Sequence, residues 1–86
     1  MLIFGMVSMN ACKSIPNDEK IQNSINEHFK YNDSLKIKVI GKYKFSDKVY
    51  KINYSRPWGV YDDIVLLPLE NGQWVLQYDS ERWVLK

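Results

Sequence analysis

Leu35-Lys36-Ile37-Lys38-Val39-Ile40-Gly41-Lys42-Tyr43-Lys44-Phe45 alternates apolar and basic residues, with Leu35, Ile37, Val39, Tyr43 and Phe45 on odd positions and Lys36, Lys38, Lys42 and Lys44 on even ones. Successive side chains of a strand point to opposite faces, so this period predicts a half-buried strand with a lysine face. Ser46-Asp47 follows as a turn, and a two-residue connection pairs Tyr43 with Tyr50, Gly41 with Ile52 and Val39 with Tyr54. In that register Tyr43, Tyr50 and Tyr54 gather on the core face, while Lys42, Lys44 and Lys51 lie on the other. A slip of one residue would mix the two sets, which favours this pairing. Gly41 then leaves a gap on the core face, suited to a bend or to a helix lying close.

Upstream of that strand, Asn17 is placed to cap a helix and Asp18 and Glu19 stand in its first turn, where negative charge suits the helix dipole. Ile21, Ile25 and Phe29 recur every four residues as a narrow apolar stripe, and Asn32-Asp33-Ser34 ends the pattern. Downstream, Arg56-Pro57-Trp58-Gly59 reads as a loop. Residues 64–69 are apolar at every position, as expected of a strand covered on both faces or at the centre of a sheet. Asn71-Gly72 signals a tight hairpin, which sets Leu69 opposite Trp74, Leu67 opposite Leu76 and Val65 opposite Tyr78. A last turn over Asp79–Arg82 brings Trp83 opposite Tyr78 and Leu85 opposite Leu76.

The predicted fold is α+β: one N-terminal helix packed on a five-stranded antiparallel β-meander. Residues 17–86 form this single domain, behind a tether at 13–16 and a distinct segment at 1–12. By element order the domain resembles the cystatin-like and nuclear-transport-factor-like groups of small folds. The cystatin inhibitory Gln-x-Val-x-Gly motif is absent, so the resemblance implies a layout and no function.

Residues 1–12, Met-Leu-Ile-Phe-Gly-Met-Val-Ser-Met-Asn-Ala-Cys, carry no charge and end at the chain's one cysteine. Met9-Asn10-Ala11-Cys12 resembles the lipobox of bacterial lipoproteins, in which a signal is cut before the cysteine and the cysteine is lipidated. That resemblance implies lipid attachment at Cys12 and a domain held in the periplasm of a bacterial cell envelope. The run is shorter than the roughly 20 residues a membrane span needs. Acyl chains would anchor the domain instead, at about 0.8 kcal/mol per buried methylene. The alternative reading of the same run is a buried N-terminal strand with a structural thiol.

Composition narrows the chemistry. The 86 residues carry a net charge of +2, too weak to imply a polyanionic partner. Charge is unevenly spread: residues 13–51 hold nine lysines against five acids, and residues 52–86 three basic residues against five acids. The basic face of Lys36, Lys38, Lys42, Lys44 and Lys51 is expected to stay in solvent or rest near anionic headgroups. Single-strand nucleic-acid binders mix aromatics with the charge, and here the tyrosines are expected on the opposite face, so no nucleic-acid partner is expected.

No set of residues assembles a catalytic site. His28 is the only histidine, and neither Glu27 nor Asn32 forms a base-and-orienter pair with it. Without a second histidine or a spare cysteine, no metal or other cofactor is expected. Asp62-Asp63 on a strand would point to opposite faces, which suits neither acid–base work nor shared metal binding. The segment Tyr54-Ser55-Arg56-Pro57-Trp58-Gly59-Val60-Tyr61 is different. Tyr, Trp and Arg dominate binding hot spots, and Pro57 and Gly59 flank the tryptophan. Tyr54, Arg56, Trp58 and Tyr61 are therefore the expected contacts to a protein partner, with Trp58 as a lid on the core the competing reading. The functional expectation is a non-enzymatic protein-binding module of the inhibitor, immunity or assembly-accessory type. A carrier of a small apolar ligand, held between helix and sheet, is the alternative.

Overall fold

A computed structural model describes residues 14–85. Helix α1 spans Asp18–His28, a short 3-10 turn spans Asp33–Leu35, and five strands follow: β1 (Lys38–Lys44), β2 (Tyr50–Arg56), β3 (Gly59–Pro68), β4 (Trp74–Tyr78) and β5 (Glu81–Val84). They form one antiparallel sheet in the order β1-β2-β3-β4-β5, so the α+β meander stands as read from the sequence. Cys12 and the rest of the Met9–Cys12 motif lie outside the described residues. No helix among the described residues is long and apolar enough to cross a membrane.

The helix starts as its sequence dictates. The Lys20 backbone N–H donates to Asn17 Oδ1 at 2.8 Å, filling one of the donors a helix start leaves open. Ile21 and Ile25 are buried against Ile52, Tyr54, Ile64, Leu66 and Leu76, and Phe29 packs at the margin of the same cluster. These side chains pack together in the layer between helix and sheet. Gln22 ties the helix to the edge strand: its Nε2 donates to the Ile37 carbonyl at 3.0 Å and its Oε1 accepts from the Val39 N–H at 2.6 Å.

Both long hairpins depart from the expected register. Val39 faces Tyr54 as predicted, but nearer the tip Lys42 faces Ile52, Tyr43 faces Lys51 and Lys44 faces Tyr50. The connection is longer than two residues: the Phe45 and Ser46 N–H groups both donate to the Val49 carbonyl, at 2.8 and 3.2 Å. A bulge at Ile40 and Gly41, together opposite Asn53, absorbs the extra residue. Gly41 therefore leaves the core face, and a side chain there would meet nothing within 4 Å. The lysine face also breaks up. Lys42 and Lys44 turn to the helix side, and Lys42 Nζ donates to Asp18 Oδ1 at 2.8 Å. Lys38 and Lys51 lie on the outer side with Tyr43, and Lys36 occupies a left-handed backbone position before the strand. Tyrosine and lysine thus share the outer surface at this tip, against the expected separation.

At the β3–β4 connection the loop holds Glu70, Asn71 and Gly72. The Leu69 N–H donates to the Gln73 carbonyl at 2.7 Å, the Leu69 carbonyl accepts from the Gly72 N–H at 3.1 Å, and Gly72 has φ 88°. This is a turn closed by a left-handed glycine, the usual three-residue hairpin, and it moves the pairing by one. Leu66 faces Leu76, Leu67 faces Val75 and Pro68 faces Trp74. The core therefore takes Ile64 and Leu66, and Val65 and Leu67 turn outward. Gly72→Ala is expected to destabilise the domain by roughly 1–2 kcal/mol, because a Cβ disfavours the left-handed conformation. Chemical denaturation of the two proteins checks it; an unchanged midpoint would remove this loop as the source of the register.

The last turn is tighter than expected. Asp79-Ser80 connects β4 to β5, so Tyr78 faces Glu81 and Leu76 faces Trp83. This moves the pairing by two, which preserves the faces, and Trp83 still packs on the core.

Candidate functional site

The β2–β3 hairpin turns on two residues. Arg56 faces Gly59, and Pro57-Trp58 forms the tip. Proline fixes φ near −65°, which rules out the turns with positive φ at the first tip residue, and Trp58 has no positive φ either. Such a turn splays its strands and pushes the tip outward. Trp58 is 60 % exposed and Val60 beside it 69 %, so an indole and an isopropyl group stand together in solvent at the end of the sheet.

Beneath the tip the side chains are fixed. The Arg56 guanidinium carbon lies 4.4 Å from the centre of the Trp58 ring, a cation–π stack. Arg56 Nη1 donates to Tyr78 Oη over a long 3.4 Å, and Arg56 Nε is buried without a partner. The Tyr78 ring is held edge-on by Phe29 and Tyr54, and Tyr61 stacks on Tyr54. Gly59 leaves room for that stack: a Cβ there would come within 3.3 Å of the Tyr61 hydroxyl.

The four expected contacts thus separate into two layers. Trp58 and the half-buried Arg56 reach the surface, and Tyr61 is half-buried at its edge. Tyr54, expected as a contact, is instead a core residue at 1 % exposure: it supports the others from below and offers a partner no surface. It lies on the inner face because β2 keeps the predicted pairing at this end.

The carboxylates of Asp62 and Asp63 are adjacent in sequence but serve different phenols. Together they oppose Asn53 in a second bulge, between the pairs Ile52–Ile64 and Tyr54–Tyr61. Tyr43 Oη donates to Asp62 Oδ2 at 2.7 Å, and Tyr54 Oη donates to Asp63 Oδ1. The Asp62 bond raises the Tyr43 phenol above its ordinary value. Burial, followed by the Asp63 bond and its charge, pushes the Tyr54 phenol far above its usual range. A phenol that holds its proton more tightly when folded contributes stability fully present below its unfolded pKa, near 10, and lost as pH rises beyond it. Between about pH 10 and pH 12 the domain is therefore expected to lose stability, and Tyr54→Phe is expected to flatten that loss. Denaturant unfolding across this interval checks it; an equal alkaline slope in both proteins would remove Tyr54 as the cause.

His28 has a partner that sequence order hides. Its Nε2 lies 2.6 Å from Glu81 Oε1, and its ring stacks on Trp83 at 3.8 Å and nearly parallel. Trp83 Nε1 in turn donates to Ser24 Oγ at 3.0 Å. These contacts fasten the last turn of α1 to β5. Neither Asp62 nor Asp63 meets the imidazole. The tight Asp79-Ser80 turn brings Glu81 to the helix side; with the longer turn expected from sequence, Glu81 sat in a loop.

One open groove of about 690 Å³ lies at the opposite end of the sheet. Tyr50, Trp74, Pro68 and Leu69 line it, with Ile15 of the tether at one side. Tyr43 and Tyr54 take no part in it. In comparisons with known proteins, no family model, no curated protein and no solved structure matches this chain.

Proposed function

We propose that this chain is a non-enzymatic protein-binding module that docks through the tip of the β2–β3 hairpin. The observation that carries the reading is a solvent-exposed Trp58 stacked on Arg56 at a proline-stiffened two-residue turn. An exposed indole has an energetic reason to find an apolar partner surface, and a short proline turn lowers the entropy lost on docking. The uncharged run ending at Cys12 supports placing the module at a bacterial envelope membrane by lipidation, with the domain in the periplasm. The mass of the mature N-terminus tests that placement: a lipidated Cys12 is expected, and an unmodified chain retaining residues 1–11 would overturn it.

The docking surface is tested by crosslinked pull-down from envelope fractions, comparing the parent protein with Trp58→Ala and Arg56→Ala. A crosslinked partner that disappears in both variants is expected. Capture that survives both would overturn the reading. The alternative of an apolar ligand held between helix and sheet draws no support from that layer, where core side chains pack; the open groove over Tyr50 and Trp74 at the end of the sheet is a different place for one. A ligand there would alter Trp74 emission, and that change would survive Trp58→Ala.

A further inference from the structure

Arg56 is a cation with too few partners. Among the described residues it is stacked on one face by Trp58, its Nε is buried and unpaired, and its one hydrogen bond is a 3.4 Å contact to a neutral phenol. Among the described residues no carboxylate lies within ion-pair distance of it; the ion pairs there join His28 to Glu81, Lys30 to Glu27 and Lys42 to Asp18. The nearby acids of the same hairpin are committed, Asp62 to Tyr43 and Asp63 to Tyr54. A guanidinium stripped of part of its water and left without an anion is costly, and it presents forked donors to any anion that arrives.

From this geometry we infer that the Arg56–Trp58 pair is a carboxylate-recognition site, which takes an Asp or Glu side chain of the protein partner. The inference rests on the hairpin tip being the docking surface and adds the chemistry of what docks there. A carboxylate matches the fork with two parallel hydrogen bonds, while the apolar stem carrying it lies along the Trp58 ring. One positive charge balances one carboxylate. A phosphate would bring more charge than the site offset. Among the described residues, the lysines of the neighbouring strands are engaged or turned away: Lys42 is paired with Asp18, Lys51 sits over the Phe45 ring, and Lys38 faces Ser55 on the outer side. The carboxylates of Asp62 and Asp63 on the same hairpin add further repulsion against a doubly charged anion.

The test follows the Arg56 Nε–H and Trp58 indole N–H resonances of the intact chain by NMR. The probes are a triglutamate peptide blocked at both ends, its triglutamine counterpart and inorganic phosphate. Saturable shifts of both resonances with triglutamate are expected. The glutamine peptide should bind about tenfold more weakly or not at all, as should triglutamate to Arg56→Gln. Arg56→Lys, which keeps the charge and loses the fork, should fall between them. Equal shifts with the glutamine peptide would overturn carboxylate recognition and leave docking by Trp58 in place. Equal or larger shifts with phosphate would overturn the choice of carboxylate in favour of a phosphate-bearing ligand. No shift with any probe would overturn the inference, and the pull-down would then decide separately whether the hairpin docks at all.

Discussion

Leu66→Ala is expected to remove about 3 kcal/mol of stability, while Leu67→Ala removes much less. Leu66 lies on β3, the middle strand, is fully buried and faces Leu76. Truncating it leaves a hole beneath Ile21 and Ile25 that a close-packed interior cannot collapse to fill. A domain of this size has a total stability of roughly 4–10 kcal/mol, so such a loss is a large share of it. Leu67 faces Val75 on the side of the sheet away from the helix and is half-buried, so its truncation gives up less area than that of Leu66. The comparison is direct because the two residues are neighbours and chemically the same. Denaturant unfolding followed by far-ultraviolet circular dichroism reads both. Equal losses, or a larger loss at Leu67, would mean that the strand presents its other face to the helix.

Trp58→Ala is expected to have the opposite profile. The side chain stands at the tip of a two-residue turn, clear of the buried cluster, so stability should hardly change. Partner affinity should fall by about a hundredfold, the range of an aromatic hot spot of 2–4 kcal/mol. Both halves of the result are needed: lost capture with an unfolding midpoint like that of the parent. A variant that captures normally removes the tip from the interface. One that unfolds early shows the indole covering the core, as the lid reading would have it.

The architecture was legible in the sequence because it rests on patterns that tolerate small errors. The cap at Asn17, the four-residue stripe of Ile21, Ile25 and Phe29, and the alternation from Leu35 onward each point to one element. Register was legible only where something covers the strand. Val39 and Tyr54 pair as expected beneath the helix. Toward the tip, by the first turn of α1, Lys42 finds Asp18 on one side and Tyr43 finds Asp62 on the other. Both faces there offer partners to polar groups, so alternation no longer selects between them. In β3 the difficulty was different. Ile64 through Leu69 are apolar throughout, so parity carries no information and the loop decides. Asn71-Gly72 suits a two-residue turn as well as the end of a three-residue one. The side-chain bonds between Asn71 and Gln73 accompany the longer form.

At the candidate site, the exposure of Trp58 and its stack with Arg56 fit the residue types read from sequence. The retreat of Tyr54 was also readable, since the same alternation that placed it inside argues against its use as a contact. What sequence could not give was the unpaired state of Arg56. That depends on where Tyr78 and Asp63 fall, and both are set by registers that alternation leaves open.

The Gln22 amide clasping Ile37 and Val39 has a consequence for life at high density. An outermost strand with bare N–H and C=O groups is a template on which an identical molecule can zip. Here the clasp occupies one donor and one acceptor of that rim, the kink at Ile40 and Gly41 spoils the straight run beyond it, and the opposite rim is only four residues long. A second copy of the chain is thus offered little straight, bare rim on which to pair.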